Sequence, residues 1–217
     1  MARKIGFIGI DKYDYILYLA RVLNKLEKKV LTIDYSENQA LTSCIPLPKG
    51  LDNKIVDYRG VKFTNNLEYK EEPNVFDFIL IDYGFNSSFN FNISECDFVV
   101  CVTDFQIHNI NILKNNLHIK ELKKCLVIKD ITKCKIKPTF VVDELGFDNL
   151  DKQDIFLINY DFIDLSCRIL CQYDDIFTFN KVSGTVKNLI ISLAKRCLDE
   201  IPESKIYAAY KKARKGE

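Results

Sequence analysis

The sequence predicts an α/β fold, a mostly parallel twisted sheet with helices on both faces. Three observations predict it. Short strand-like runs alternate with segments of helical spacing, the runs are apolar throughout, and neither an internal repeat nor a Pro/Gly/Ser linker interrupts the order. Strands covered on both faces read as continuous apolar runs, and helical crossovers make their neighbours parallel.

Residues 4–10 form an isoleucine-rich run suited to a first buried strand. Ile16, Leu19, Ala20, Leu23 and Leu26 recur at helical spacing over 15–26, with Asp14 as the expected N-cap. Residues 29–34 are a second strand and 56–64 a short third candidate. Residues 76–82 and 97–103 are strong strands, separated by Asn-rich loop material at 86–92. A helix is expected over 106–117 and strands over 125–131, 138–142 and 154–158. Helices follow over 162–171 and 183–201, the last ended by Pro202. Residues 1–202 are expected to make one domain, and the lysine-rich stretch 203–217 a basic tail with a frayed helix.

The chain has 217 residues, 47% of them apolar, enough to bury a sizeable core. Lysine and arginine number 31 against 30 acids, which disfavours a globally basic nucleic-acid binder. No apolar run approaches the roughly 20 residues of a membrane span, and the charged start followed by a short apolar run reads as a strand, not a signal peptide. A cytoplasmic location is expected. The eight cysteines include several inside apolar runs, such as Cys101 and Cys125, and behave as small buried hydrophobes. Cys167 and Cys171 stand one helical turn apart, but neither histidine, His108 or His118, is near them in sequence. Core packing is the reading for that pair, because a zinc site wants about four ligands.

Ligands in open parallel sheets bind beyond the carboxyl ends of the strands. Three such ends here carry acids or glycine: Gly9-Ile10-Asp11-Lys12, Asp34, and Asp82-Tyr83-Gly84. Together with the run KKVLTID at 28–34, the run DFILID at 77–82 and the strand DFVVCVT at 97–103, this pattern resembles the MinD/ParA group of P-loop ATPases. The resemblance has clear landmarks over roughly the first 115 residues, and TadZ/CpaE-like localisation proteins are nearest in flavour. It implies a three-layer P-loop NTPase-like fold, a Walker B role for Asp82, a switch-aspartate role for Asp34 and the loop lysine at Lys12. It also implies a homodimer formed across the nucleotide face, here the 11–14 edge.

The departures lie in the first loop. The family's Lys-Gly-Gly-x-Gly-Lys-Thr is replaced by Ile8, Gly9, Ile10, Asp11 and Lys12, followed by Tyr13 and Asp14; Phe7 stands where the signature lysine belongs. A P-loop wraps phosphates with backbone N–H groups at a helix N-terminus, and its Thr/Ser hydroxyl binds magnesium. Asp11 and Asp14 put negative charge there instead. At about 4 Å and an effective dielectric near 20, each like-charge contact costs on the order of 4 kcal/mol.

The expected protein is therefore a pseudo-ATPase. It acts as a scaffold or positioning factor for an apparatus of pilus, secretion, conjugation or partition type, through protein partners and self-association, with no cofactor, catalytic residue or metal site. The alternative is an active ATPase with an atypical loop, using ATP and magnesium with Lys12, Asp34 and Asp82 as binding residues. The bland readings are a solvated lysine at Lys12, a strand-end polar residue at Asp34 and a structural acceptor at Asp82. A dinucleotide enzyme is disfavoured by the missing Gly-x-Gly-x-x-Gly, and a receiver domain by the missing paired acids on the first strand. The phenylalanines of 85–91 suit either a partner surface or the core. The tail lysines, beside a thin apolar face, read as a solvated end, with no strong nucleic-acid or membrane signal.

Overall fold

The computed structural model describes residues 2–46, 54–66, 75–85, 93–115, 121–147, 149–173, 177–198 and 200–216. Among them, eight strands form one sheet: β1 (Arg3–Gly9), β2 (Val30–Asp34), β3 (Val56–Tyr58), β4 (Val61–Thr64), β5 (Phe78–Asp82), β6 (Phe98–Thr103), β7 (Lys124–Ile131) and β8 (Ile155–Asn159). Their order is β3-β4-β2-β5-β1-β6-β7-β8. Every pairing is parallel except β3 with β4.

The helices are α1 (Tyr13–Asn24), α2 (Ile107–Lys114), α3 (Pro138–Leu145), α4 (Phe162–Leu170), α5 (Gly184–Cys197) and α6 (Glu203–Ala213). Side-chain alternation along the strands divides the core. Ile5, Phe7, Val100 and Val102 join α1, α5 and α6 on one face, while Ile8, Val99 and Cys101 join α2 and α3 on the other. Helix α1 lies between the sheet and α5 and α6, so its residues 13–23 are all buried.

Four expectations need correction. Residues 138–142 belong to a helix, because Pro138 pre-sets the first turn and Gly146, at φ +65°, closes the end. The single strand over 56–64 is an antiparallel hairpin, β3–β4, turned by Arg59 and Gly60, both at positive φ. Helix α1 starts at Tyr13 with Lys12 at the N-cap, so Asp14 falls inside the first turn. The stretch after Pro202 is not frayed. Ile206, Ala209, Tyr210 and Ala213 make a buried stripe at i, i+3, i+4 and i+7, and Tyr210 meets Phe179 edge to face at 5.6 Å.

Gly9 ends β1 at φ +120°, and a Cβ there would lie 1.8 Å from the Val102 carbonyl oxygen. Neither backbone can yield, since Ile10 donates to that same oxygen at 3.1 Å. Gly9→Ala is expected to cost on the order of 3 kcal/mol or more, read as a lower midpoint in urea denaturation. An unchanged midpoint would contradict this account of the turn.

Candidate functional site

The carboxyl ends of β2, β5, β1 and β6 lie side by side. Asp82 is in register with Phe7 on one neighbour and with Asp34 on the other. Three residues, Ile10, Asp11 and Lys12, carry the chain from β1 to α1.

This short turn closes on itself. The Gly9 amide donates to the Gly84 carbonyl at 2.9 Å, and the Gly84 amide donates to Asp82 Oδ1 at 2.8 Å. Asp82 Oδ1 holds Lys12 Nζ at 2.6 Å, and Lys12 Nζ donates back to the Gly9 carbonyl at 2.9 Å. Both charged side chains are buried. A second buried lysine, Lys129 on β7, donates to the Asp11 carbonyl at 2.7 Å. At Gly9 and Asp11 the turn therefore offers carbonyl acceptors to ammonium groups, and the amides of Gly9 and Ile10 are engaged with the strand ends.

Lys12 is thus not a solvated loop residue. Asp34 receives the Ser36 amide at 3.0 Å and the Ser36 hydroxyl through Oδ1. Its Oδ2 receives the Thr42 amide and hydroxyl at 2.8 and 2.9 Å. Four donors bind its two oxygens, as an organiser of the loop after β2. Burial, and then the charge of Asp82, nevertheless raise its carboxyl above the usual range.

Above Asp82 opens a cavity of about 360 Å³ whose lining includes Lys12, Asp82, Asp11, Glu37, Asp104 and Asp130. Five carboxylates there face one lysine that is already paired. Asp34 is absent from this lining, so the structure brings Lys12 and Asp82 together in the cavity and leaves Asp34 behind it. Asp104 directly follows β6, a strand-end acid like Asp34 and Asp82, so the same signal could have found it. It accepts from Gln106 and Asn109. Asp130, at φ +52°, gave no comparable signal. Phe85 is among the lining residues; residues 86–92 and His118 lie outside the described residues, and His108 is exposed on α2. Cys167 and Cys171 are free thiols on and just after α4, and no group of three or more His, Cys, Asp or Glu among the described residues is placed to hold a metal.

Asp14 does not face this cavity. It is buried behind the turn near Lys129 and Arg168, with Oδ1 lacking a hydrogen-bond partner. Burial raises its carboxyl, while Lys129 and Arg168 oppose the rise.

Two predictions follow from this geometry. Removing one member of a buried ion pair costs roughly 3–5 kcal/mol, so Lys12→Met is expected to lose that much in urea denaturation. Adding Asp82→Asn should restore most of it; additivity within about 0.5 kcal/mol would contradict a coupled pair. Because the folded state holds the Asp14 proton more tightly than the unfolded chain does, Asp14 lowers stability as pH rises above about 4 and through its folded value. Melting temperatures of Asp14→Asn should fall less between pH 4 and 7 than those of the unaltered protein. Parallel profiles would contradict the assignment.

No protein-family model matches the chain, and no curated protein sequence matches it either. Solved structures do match. The MinC:MinD cell division protein complex of Aquifex aeolicus aligns with TM-score 0.66 and 18% identity over 93% of this chain and 98% of that one. MinD from the same organism gives 0.66 and 16% over 93% and 99%. A putative plasmid partition protein of Borrelia burgdorferi B31 bound to AMPPNP gives 0.60 and 14% over 98% and 99%. The chain has the MinD/ParA-like P-loop α/β fold, along essentially its whole length.

Proposed function

We propose that this protein is a MinD/ParA-shaped scaffold or positioning factor that works through protein contacts without nucleotide turnover. One observation carries the reading: Lys12, which the sequence resemblance would make the family's phosphate-binding lysine, is bound to Asp82, which it would make the Walker B aspartate. A magnesium–triphosphate needs converging N–H donors, a free lysine and an acid available to the hydrated ion. Here the lysine and the acid neutralise each other. The turn spans three residues, and four further carboxylates surround the space a triphosphate would enter. The residues present do not fit that ligand. An apparatus of pilus, secretion, conjugation or partition type, a cytoplasmic location, protein partners and self-association along the 11–14 edge complete the proposal. Among the described residues no helix is long and apolar enough to cross a membrane. One of the similar structures is a complex of MinD with MinC, which supports a protein partner as the class to seek.

The second reading is an active ATPase with an atypical loop. The cavity above Asp82 favours it, as does the AMPPNP in the Borrelia protein. Calorimetry with ATP and magnesium separates the two. The proposal expects no binding at micromolar protein and nucleotide. Sub-micromolar affinity, or turnover that vanishes in Asp82→Asn, would overturn it and establish the second reading.

A further inference from the structure

Helix α4 is built inside out. Its inward residues are Asp164, Leu165 and Arg168, continued by Cys171. Asp164 receives the Ser183 amide at 2.6 Å, and the Arg168 guanidinium stands 3.7 and 3.9 Å from the carboxylates of Asp130 and Asp11. The Arg168 carbonyl accepts from Tyr13 at 3.2 Å, and Cys171 Sγ meets the Tyr18 hydroxyl at 3.8 Å. The polar side of the helix is therefore spent on holding it against the turn and α1.

The apolar side faces outward. Phe162, Ile163, Ile169, Leu170 and Tyr173 are all exposed, Phe162 by 73% and Tyr173 by 59%. At about 100° per residue, positions 162, 163, 166, 169 and 170 fall in one stripe about 120° wide, and Tyr173 lies in the turn just past the end of the helix. A surface helix normally turns such a stripe to the core. At roughly 150–250 Å² per large side chain, the exposures leave on the order of 500 Å² of apolar surface open. That is the size at which a patch on a monomer is commonly functional.

We propose that α4 pairs with α4 of a second copy of this chain, antiparallel across a two-fold axis near Ser166. The observations favour this occupant in three ways. The stripe carries no charge, so meeting its own copy brings no like charges together, as an isologous contact requires. Its area supplies about two-thirds of the roughly 800 Å² per partner of a standard interface, leaving the remainder to a polar rim. Ser166 is the smallest residue of the stripe and lies near its middle, where two helices 8–10 Å apart approach most closely. An anionic membrane surface is a poor occupant. The helix's one basic residue, Arg168, points inward, and its N-terminus carries Asp161 and Asp164. The stripe lies on the side of α4 opposite the one packed on the 11–14 turn, and the proposal calls on no nucleotide, so it stands or falls apart from the pseudo-ATPase reading.

Sedimentation equilibrium of the full chain without nucleotide tests this. The unaltered protein is expected to dimerise at micromolar concentration. Phe162→Glu with Leu170→Glu should weaken association by about 100-fold or more with an unchanged circular dichroism spectrum, since both side chains are exposed. Independently, Ser166→Cys should give a covalent dimer on oxidation well above the background from the native Cys134 and Cys167. A monomer at all concentrations, a dimer that survives the double substitution, or no gain in cross-linking at position 166 would each overturn the proposal.

Discussion

Four contacts form a closed ring at the head of the sheet: Gly9 amide to Gly84 carbonyl, Gly84 amide to Asp82, Asp82 to Lys12, and Lys12 to Gly9 carbonyl. Each contact sets the geometry of the next. At 2.6 Å and an effective dielectric near 20, the ion pair gains roughly 6 kcal/mol, while burying each ion costs several. Its net contribution to stability is small. Its contribution to structure is large, because either charge left alone in that place is costly. The ring thus fixes where β1 ends, where α1 begins and how Asp82 is aimed.

Around this ring the molecule spends charge on its own backbone. Lys129 reaches from β7 to the Asp11 carbonyl, and Arg168 reaches from α4 toward the carboxylates of Asp11 and Asp130. Asp34 and Asp104 are saturated by the loops that follow their strands. A phosphate-binding turn presents donors to an outside anion; this turn is held by cations from within. The proposed functional reading rests on that reversal of polarity, and the acidic cavity above it has the same sign.

Much of the fold was legible because periodicity reports burial. The apolar runs ending at Asp34, Asp82 and Thr103 became strands with those ends, and the parallel sheet follows from their two-sided burial. The failures share a cause, which is tertiary context. Residues 138–142 are apolar and β-branched enough for a strand, yet Pro138 and Gly146 frame a helix that α2 and the sheet can bury. The stretch 203–213 shows a thin apolar face alone but packs against α1 and α5. For the site, the strand-end rule found Lys12, Asp34 and Asp82. It could not say that Lys12 turns inward, because the partner that draws it lies 70 positions away. Arg168 and Lys129 were invisible for the same reason, and the outward stripe of α4 has ordinary helical spacing in sequence. Only the fold reveals which side faces solvent.

The central claim is that Lys12 stays on Asp82 in the presence of nucleotide. Lysine Nζ resonances of uniformly ¹⁵N-labelled protein test it most directly, with the Lys12 signal assigned by its loss in Lys12→Met. The account predicts a slowly exchanging ammonium signal, as burial and its bonds to the Asp82 carboxylate and the Gly9 carbonyl require, that does not move when magnesium–ATP is added to millimolar concentration. A Lys12 signal that shifts on titration, saturating as a phosphate takes the place of the carboxylate, would contradict it.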